Sequence, residues 1–194
     1  EQQRIAFATL LLGRPTLFLL DEPFSNLDVV HKRILKSVID DASEQLGISF
    51  ILVSHDPQDT MSWADKILVL KDGRMIQQGR PEEIYQQPLD EYTAALFGSY
   101  NVLPLRVVRK MGAEPQAGGS FLIRPEAIRL SRSSTKGYKM KIHAVRFLGA
   151  YDELELRSDS LKLTALAQHR TWKRGDIAFA HAPLKHFKKL PSEF

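Results

Sequence analysis

The chain has 194 residues, 43% of them apolar, enough for one domain or two small ones with a buried core. It contains no cysteine, which excludes disulfide frameworks and thiolate metal sites, and no apolar run approaches the roughly 20 residues that span a bilayer. The net charge of +4 is unevenly placed: residues 1–97 hold 9 Lys/Arg against 15 Asp/Glu, and residues 98–194 hold 18 against 8. That asymmetry points to two domains with different surfaces. The basic half reads as a solvated face, with a nucleic-acid or membrane-facing surface as the other reading. Glu1-Gln2-Gln3-Arg4 lacks the apolar core of a signal peptide, so a soluble, non-secreted chain is expected.

Residues 2–12 predict a helix that becomes apolar toward its end, with Gly13 as its C-cap. Residues 15–20 form a short continuous apolar run after a proline, which reads as a buried strand. Over 29–46, Val30, Ile34, Leu35, Val38, Ile39, Ala42 and Leu46 recur at helical spacing, and Gly47 closes the pattern. A second buried strand is expected over 48–53 and a short helix over 58–64. Strands over 66–70 and 74–78 flank Lys71-Asp72-Gly73, a hairpin turn signal. Strand, helix and strand, with continuously apolar strands, predict a parallel sheet covered on both faces.

Residues 81–97 read as helical, and a linker begins at Gly98-Ser99-Tyr100-Asn101. A loop rich in Gly and Pro runs from Gly112 to Gly119. Beyond it, short strands are expected over 121–124, 127–131, 138–147, 152–157, 161–166 and 177–181, the pattern of a small barrel or sandwich.

The densest chemistry lies at 17–28. Leu17-Phe18-Leu19-Leu20-Asp21-Glu22-Pro23 puts two acids at the carboxyl end of a buried strand, where parallel α/β sheets place ligands. Asp21 offers Mg²⁺ a hard oxygen ligand, and Glu22 can orient and deprotonate a water for attack on a phosphoryl group. Read alone, the two acids fit a solvated strand-end loop equally well.

Three further stretches complete an ordered set: Glu1-Gln2-Gln3-Arg4 before the strand, Ser25-Asn26-Leu27-Asp28 after the two acids, and Ser54-His55-Asp56 at the end of the next strand. The set resembles the ABC transporter ATPases. In that family a Leu-Ser-Gly-Gly-Gln signature opens a helix and a strand ending in Leu-Leu-Asp-Glu-Pro is the Walker B motif. A short D-loop follows, and a switch histidine ends the next strand. Glu1 takes the last signature position, where Gln is more usual.

The resemblance implies an α/β fold, the C-terminal part of a P-loop NTPase parallel-sheet domain, over 1–97. It implies Asp21 as the magnesium aspartate, Glu22 as the general base and His55 as the switch residue at the γ-phosphate. Ser25, Asn26 and Asp28 belong to the loop that couples two ATP sites across a dimer. Glu1, Asp21, Ser25, Asn26, Asp28 and His55 are thus the expected cofactor-binding residues, and Glu22 and His55 the expected catalytic pair. A lone histidine after an apolar strand is more often structural. The position of His55 between Ser54 and Asp56 reverses that judgement. The cofactors implied are ATP and Mg²⁺. The partners implied are a second ATPase subunit in a homodimer and transmembrane permease subunits, at the cytoplasmic face of the membrane, with no nucleic acid.

An ATPase also needs a phosphate cradle. No G-x-x-x-x-G-K-[ST] occurs in the 194 residues, and no two glycines have the required spacing. The Leu-Ser-Gly-Gly that precedes Glu1 in the family is absent as well. The chain is therefore expected to be a piece of a longer protein and, alone, neither to bind ATP tightly nor to hydrolyse it.

In the second half, Phe121-Leu122-Ile123-Arg124-Pro125-Glu126-Ala127-Ile128 resembles the Arg-Pro-Glu stretch of the transport-associated OB (TOBE) domain that follows many import ATPase domains. Tyr100-Asn101-Val102-Leu103-Pro104, Phe147-Leu148-Gly149 and Trp172-Lys173-Arg174-Gly175-Asp176 resemble its other recurrent stretches. An all-β OB-like domain over 120–194, after a linker at 98–119, is the expectation. The histidines at 143, 169, 181 and 186 lack metal-ligand spacing. Two rival readings remain: a non-catalytic, partner-binding remnant, which the missing P-loop favours, and an ABC-type ATPase acting on DNA, which the basic half favours.

Overall fold

A computed structural model describes Gly13 and residues 15–116, 118–133 and 137–191. The helix expected over 2–12, and Glu1 with it, lie outside the described residues. The chain divides into two compact units, Glu1–Trp63 and Ala64–Phe194.

The first unit has the order strand β1 (Leu17–Asp21), helix α1 (Val29–Leu46), strand β2 (Ser49–Val53) and the single helical turn α2 (Pro57–Thr60). β1 and β2 pair in parallel, from Leu17 opposite Ser49 to Asp21 opposite Val53. Parallel neighbours need a crossover, and α1 supplies it. Asp28 caps the start of α1 by accepting the His31 backbone N–H at 2.8 Å. Gly47 ends it in the left-handed region at φ 66°, with its N–H on the Ser43 carbonyl at 3.0 Å.

Leu35, Ile39 and Ala42 form one stripe of α1 and are buried against Phe18, Phe24 and Ile48. The Phe18 and Phe50 rings stack with centroids 5.6 Å apart. Side chains alternate across a strand, so Leu17, Leu19, Ile51 and Val53 point to the opposite face, where they are exposed. The expected cover on both faces is therefore met on one face only among the described residues.

The second unit opens on the hairpin β3 (Ile67–Lys71) and β4 (Arg74–Gly79). Its turn residues Asp72 and Gly73 both have positive φ, 49° and 72°, as a two-residue hairpin turn requires. The single helix expected over 81–97 is two helices, α3 (Pro81–Gln86) and α4 (Glu91–Leu96). Pro88 is the reason. It drives Gln87 out of the helical region, to φ −130° and ψ 56°, and cannot donate a helical hydrogen bond. Asp90 then restarts the helix by accepting from the Thr93 backbone N–H at 2.8 Å.

The stretch read as a linker, 98–119, contains strand β5 (Asn101–Pro104) and helix α5 (Leu105–Lys110), with Leu103, Val107 and Val108 buried. Six further strands follow: β6 (Ser120–Ile123), β7 (Arg129–Ser131), β8 (Tyr138–Phe147), β9 (Tyr151–Ser158), β10 (Leu161–Gln168) and β11 (Ile177–His181), with the short β12 (Lys188–Lys189) last. They form a five-stranded antiparallel sheet in the order β10-β9-β8-β11-β7 and a three-stranded sheet β12-β6-β5. Both sheets contribute to one core, with Leu103 and Ile123 from one and Met140, Ile142, Leu154, Leu156 and Leu163 from the other. Asn101 ties them: its buried amide donates to the Thr164 carbonyl at 2.8 Å and accepts the Thr164 N–H at 2.7 Å.

Candidate functional site

The candidate site of the first unit lies at the carboxyl ends of β1 and β2. After Asp21 the backbone leaves the strand direction at once. Glu22 takes a positive φ of 47° while its N–H still bonds the Val53 carbonyl at 2.9 Å. A non-glycine residue rarely adopts that conformation, and it persists only where the surroundings over-determine it. Here the Ser25 hydroxyl and N–H both donate to the Glu22 carbonyl, at 2.7 and 3.1 Å. Asn26 adds a second left-handed residue at φ 61°, and the chain turns back to enter α1 at Asp28.

That turn aims the Glu22 carboxylate at the end of β2. Its Oε1 accepts the His55 backbone N–H at 3.0 Å and lies 2.7 Å from His55 Nδ1. The imidazole is 84% exposed and the carboxylate 33%, so the pair faces solvent. The hydrogen bond that the ring donates to Glu22, followed by the carboxylate's charge, raises the His55 imidazole above its ordinary value and favours the imidazolium. With Nδ1–H committed to Glu22, the imidazolium keeps Nε2–H as a free-standing donor.

The sequence-predicted residues divide accordingly. Glu22 and His55 meet, although 33 residues separate them. Asp21 stands beside them with an exposed carboxylate at the end of β1. Ser25 and Asn26 shape the turn that follows Glu22. Asp28 is occupied as the cap of α1, and its Oδ1 also lies 2.9 Å from His31 Nδ1. The His31 backbone N–H holds the Asp28 carboxyl below its ordinary value.

Sequence reading missed a second layer. Lys32 Nζ bonds Asp59 at 3.0 and 3.1 Å and Asp56 at 3.2 Å, and Lys36 Nζ lies 3.7 Å from Asp59. Asp59 is 4% exposed, and its bond with Lys32 raises the lysine above its ordinary value. This cluster fastens the segment after His55 to α1. A signal existed: Lys32 and Lys36 sit four apart on one helix face, opposite acids at 56 and 59 just past the next strand.

Among the described residues, no three His, Cys, Asp or Glu side chains group as a metal cage. Mg²⁺ does not need one, because it keeps several waters and takes one or two carboxylates beside substrate phosphates. The exposed Asp21 fits that requirement as a single protein ligand.

No family model matches the chain. Its relatives nevertheless define its class: it is a homologue of the ATP-binding subunits of ABC importers. It is 31% identical over 176 residues to the Fe(3+) ions import ATP-binding protein of Agrobacterium fabrum, a match covering 82% of this chain and 50% of that one. It is 35% identical over 151 residues to the spermidine/putrescine import ATP-binding protein of Marinobacter nauticus, covering 67% and 40%. To the glucose import ATP-binding protein of Saccharolobus solfataricus it is 34% identical over 145 residues, covering 70% and 41%. The chain thus spans half, or less, of the length of these relatives. Among the described residues no helix is long and apolar enough to cross a membrane.

Proposed function

We propose that these 194 residues form the carboxyl-terminal part of an ABC importer's ATP-binding subunit. In this reading residues 1–97 complete the ATPase domain, and the OB-like domain over 120–194 is extended by β5 and α5 of 98–119, which share its core. The subunit pairs with a second copy and with transmembrane permease subunits at the cytoplasmic face of the membrane, and it powers solute uptake. Iron, polyamines and sugars are the solute classes named for the relatives.

The observation that carries the reading is the convergence of Glu22 and His55 at the ends of two adjacent parallel strands, 2.7 Å apart, beside an exposed Asp21. Asp21 would hold Mg²⁺, which supplies charge neutralisation to the phosphates of ATP. The Glu22 carboxylate accepts the proton of an attacking water, and the two contacts of His55 with Oε1 keep that carboxylate aimed. His55 Nε2–H is the donor available to a phosphate oxygen. The Ser25 hydroxyl and N–H on the Glu22 carbonyl, with the Glu22 N–H on Val53, hold Glu22 in its strained conformation.

The phosphate cradle is not among these residues, so the test supplies it. Fused behind the amino-terminal half of the iron-import relative, the chain is expected to turn over ATP. Glu22→Gln then lowers the rate by about 100-fold or more while ATP binding persists, the share typical of a general base. An undiminished rate would remove Glu22 from this role. The second reading, a non-catalytic partner-binding piece, draws on the missing cradle, and a fusion that binds ATP without any turnover would favour it.

A further inference from the structure

The second unit carries a cavity of about 480 Å³ that the ATPase reading does not use. Its wall combines the end of α3 at Tyr85, the turn Pro125–Ala127, Arg129 at the start of β7, and the segment 185–188 leading into β12. Four cations line it, Arg124, Arg129, Lys185 and Lys188, against one carboxylate, Glu126.

The cations have two different roles. Arg124 is buried and gives its N–H groups to the carbonyls of Tyr85, Ala94, Gly98 and Ser99. Its charge is therefore fixed in the wall, with no carboxylate in ion-pair range among the described residues. Arg129 and Lys185 are exposed and Lys188 is half-buried; none of the three side chains has a hydrogen bond or ion pair among the described residues. Glu126 is engaged already, since its Oε1 accepts the Tyr85 hydroxyl at 2.6 Å. Burial and then this bond push the Tyr85 phenol up to about 12, so it stays a donor at neutral pH. The site thus offers three uncommitted cationic heads over a wall in which the Arg124 charge offsets that of Glu126.

We propose that this cavity binds the phosphate dianion of a small molecule through Arg129, Lys185 and Lys188. Uncommitted cations sharing one cavity favour a compact multivalent oxyanion over a monovalent carboxylate. The volume falls in the roughly 300–1,000 Å³ range of small-molecule sites, with room for an organic group beside the phosphate. Cations gathered in a concavity, rather than along a stripe, distinguish the site from a nucleic-acid track. The inference does not rest on the ATPase reading.

The test is a calorimetric titration of the full chain at about 0.15 M salt, where unspecific surface attraction is screened beyond roughly 8 Å. The probes are inorganic phosphate and glycerol phosphate, with glycerol and chloride as controls. Saturable one-to-one binding of a phosphate probe, and none of glycerol, is expected. Tighter binding of glycerol phosphate identifies a phosphate ester as the ligand, and equal or tighter binding of inorganic phosphate identifies free phosphate. Arg129→Gln, Lys185→Gln and Lys188→Gln should each weaken binding about tenfold, the share of one charge-assisted contact. These side chains have no hydrogen bond or ion pair to lose among the described residues, so the circular dichroism spectrum should not change. The proposal is overturned if neither phosphate probe saturates, if the triple variant binds like the parent chain, or if a single-stranded oligonucleotide binds these cations while neither probe does.

Discussion

Arg124 gives the sharpest test of how the second unit is held together. It is 6% exposed, and each hydrogen bond its guanidinium donates among the described residues goes to a backbone carbonyl. Tyr85 lies in the last turn of α3, and Ala94, Gly98 and Ser99 lie at and beyond the last turn of α4. These carbonyls cluster at helix carboxyl ends, and a cation there also meets the negative end of the helix dipole. The guanidinium carbon sits 4.2 Å from the centroid of the Tyr85 ring, adding a cation–π contact.

Arg124→Met keeps the stem and removes all the donors. One hydrogen bond to a charged group contributes about 1.5–3 kcal/mol, and the bonds of a single guanidinium do not add in full. Losing the whole set while leaving buried carbonyls unpaired should cost about 3–5 kcal/mol. At roughly 2–4 °C per kcal/mol, the midpoint falls by about 6–20 °C. Urea unfolding followed by the fluorescence of Trp172, buried in this core, reads the effect. A Trp63→Phe background silences the tryptophan of the other unit. Arg124→Lys should recover only part, because an ammonium cannot span carbonyls on two helices. A loss below about 1 kcal/mol for Arg124→Met would refute the reasoning.

The Glu22–His55 pair predicts a pH dependence. The folded His55 value is raised, so its attraction to Glu22 is fully present below the ordinary histidine value of about 6.5 and is lost as pH rises through the folded value. An NMR titration of the His55 ring should show an elevated midpoint that Glu22→Gln brings down; equal midpoints in the two proteins would break the pairing. In the first unit, Ile39→Ala empties a site only 1% exposed and should cost about 2–5 kcal/mol by chemical denaturation, with no change if the α1 packing is otherwise. Gly47→Ala meets open space but must hold φ 66°, so a loss of about 1 kcal/mol is expected, and Gly47→Asn should lose less. A gain in stability from the alanine would contradict the left-handed cap.

Much of the local structure was legible in the residues. The period of apolar side chains from Val30 to Leu46, closed by Gly47, placed α1 at its observed span, and Asp72-Gly73 placed the β3–β4 turn. Those signals are short in range: helix spacing, a left-handed glycine and a turn dipeptide act within a few residues. The order of Asp21-Glu22 and Ser54-His55-Asp56 also carried the resemblance that the relatives bear out.

Other features came only with tertiary structure, because they join residues far apart in the chain. Pro88 was visible in the sequence, yet its division of 81–97 emerged as a real break only where Asp90 could restart the helix. Asn101 reads as a linker residue until its amide is seen bridging to Thr164, 63 positions on. The 2.7 Å approach of His55 to Glu22 depends on the parallel pairing of β1 with β2 and on the positive φ at Glu22. The Lys32–Asp59 fastening and the cationic cavity arise in the same way. Sequence spacing determines which face of its own element a residue occupies. Which other face it meets is decided when the elements pack, since only packing sets the distance between charges on separate elements.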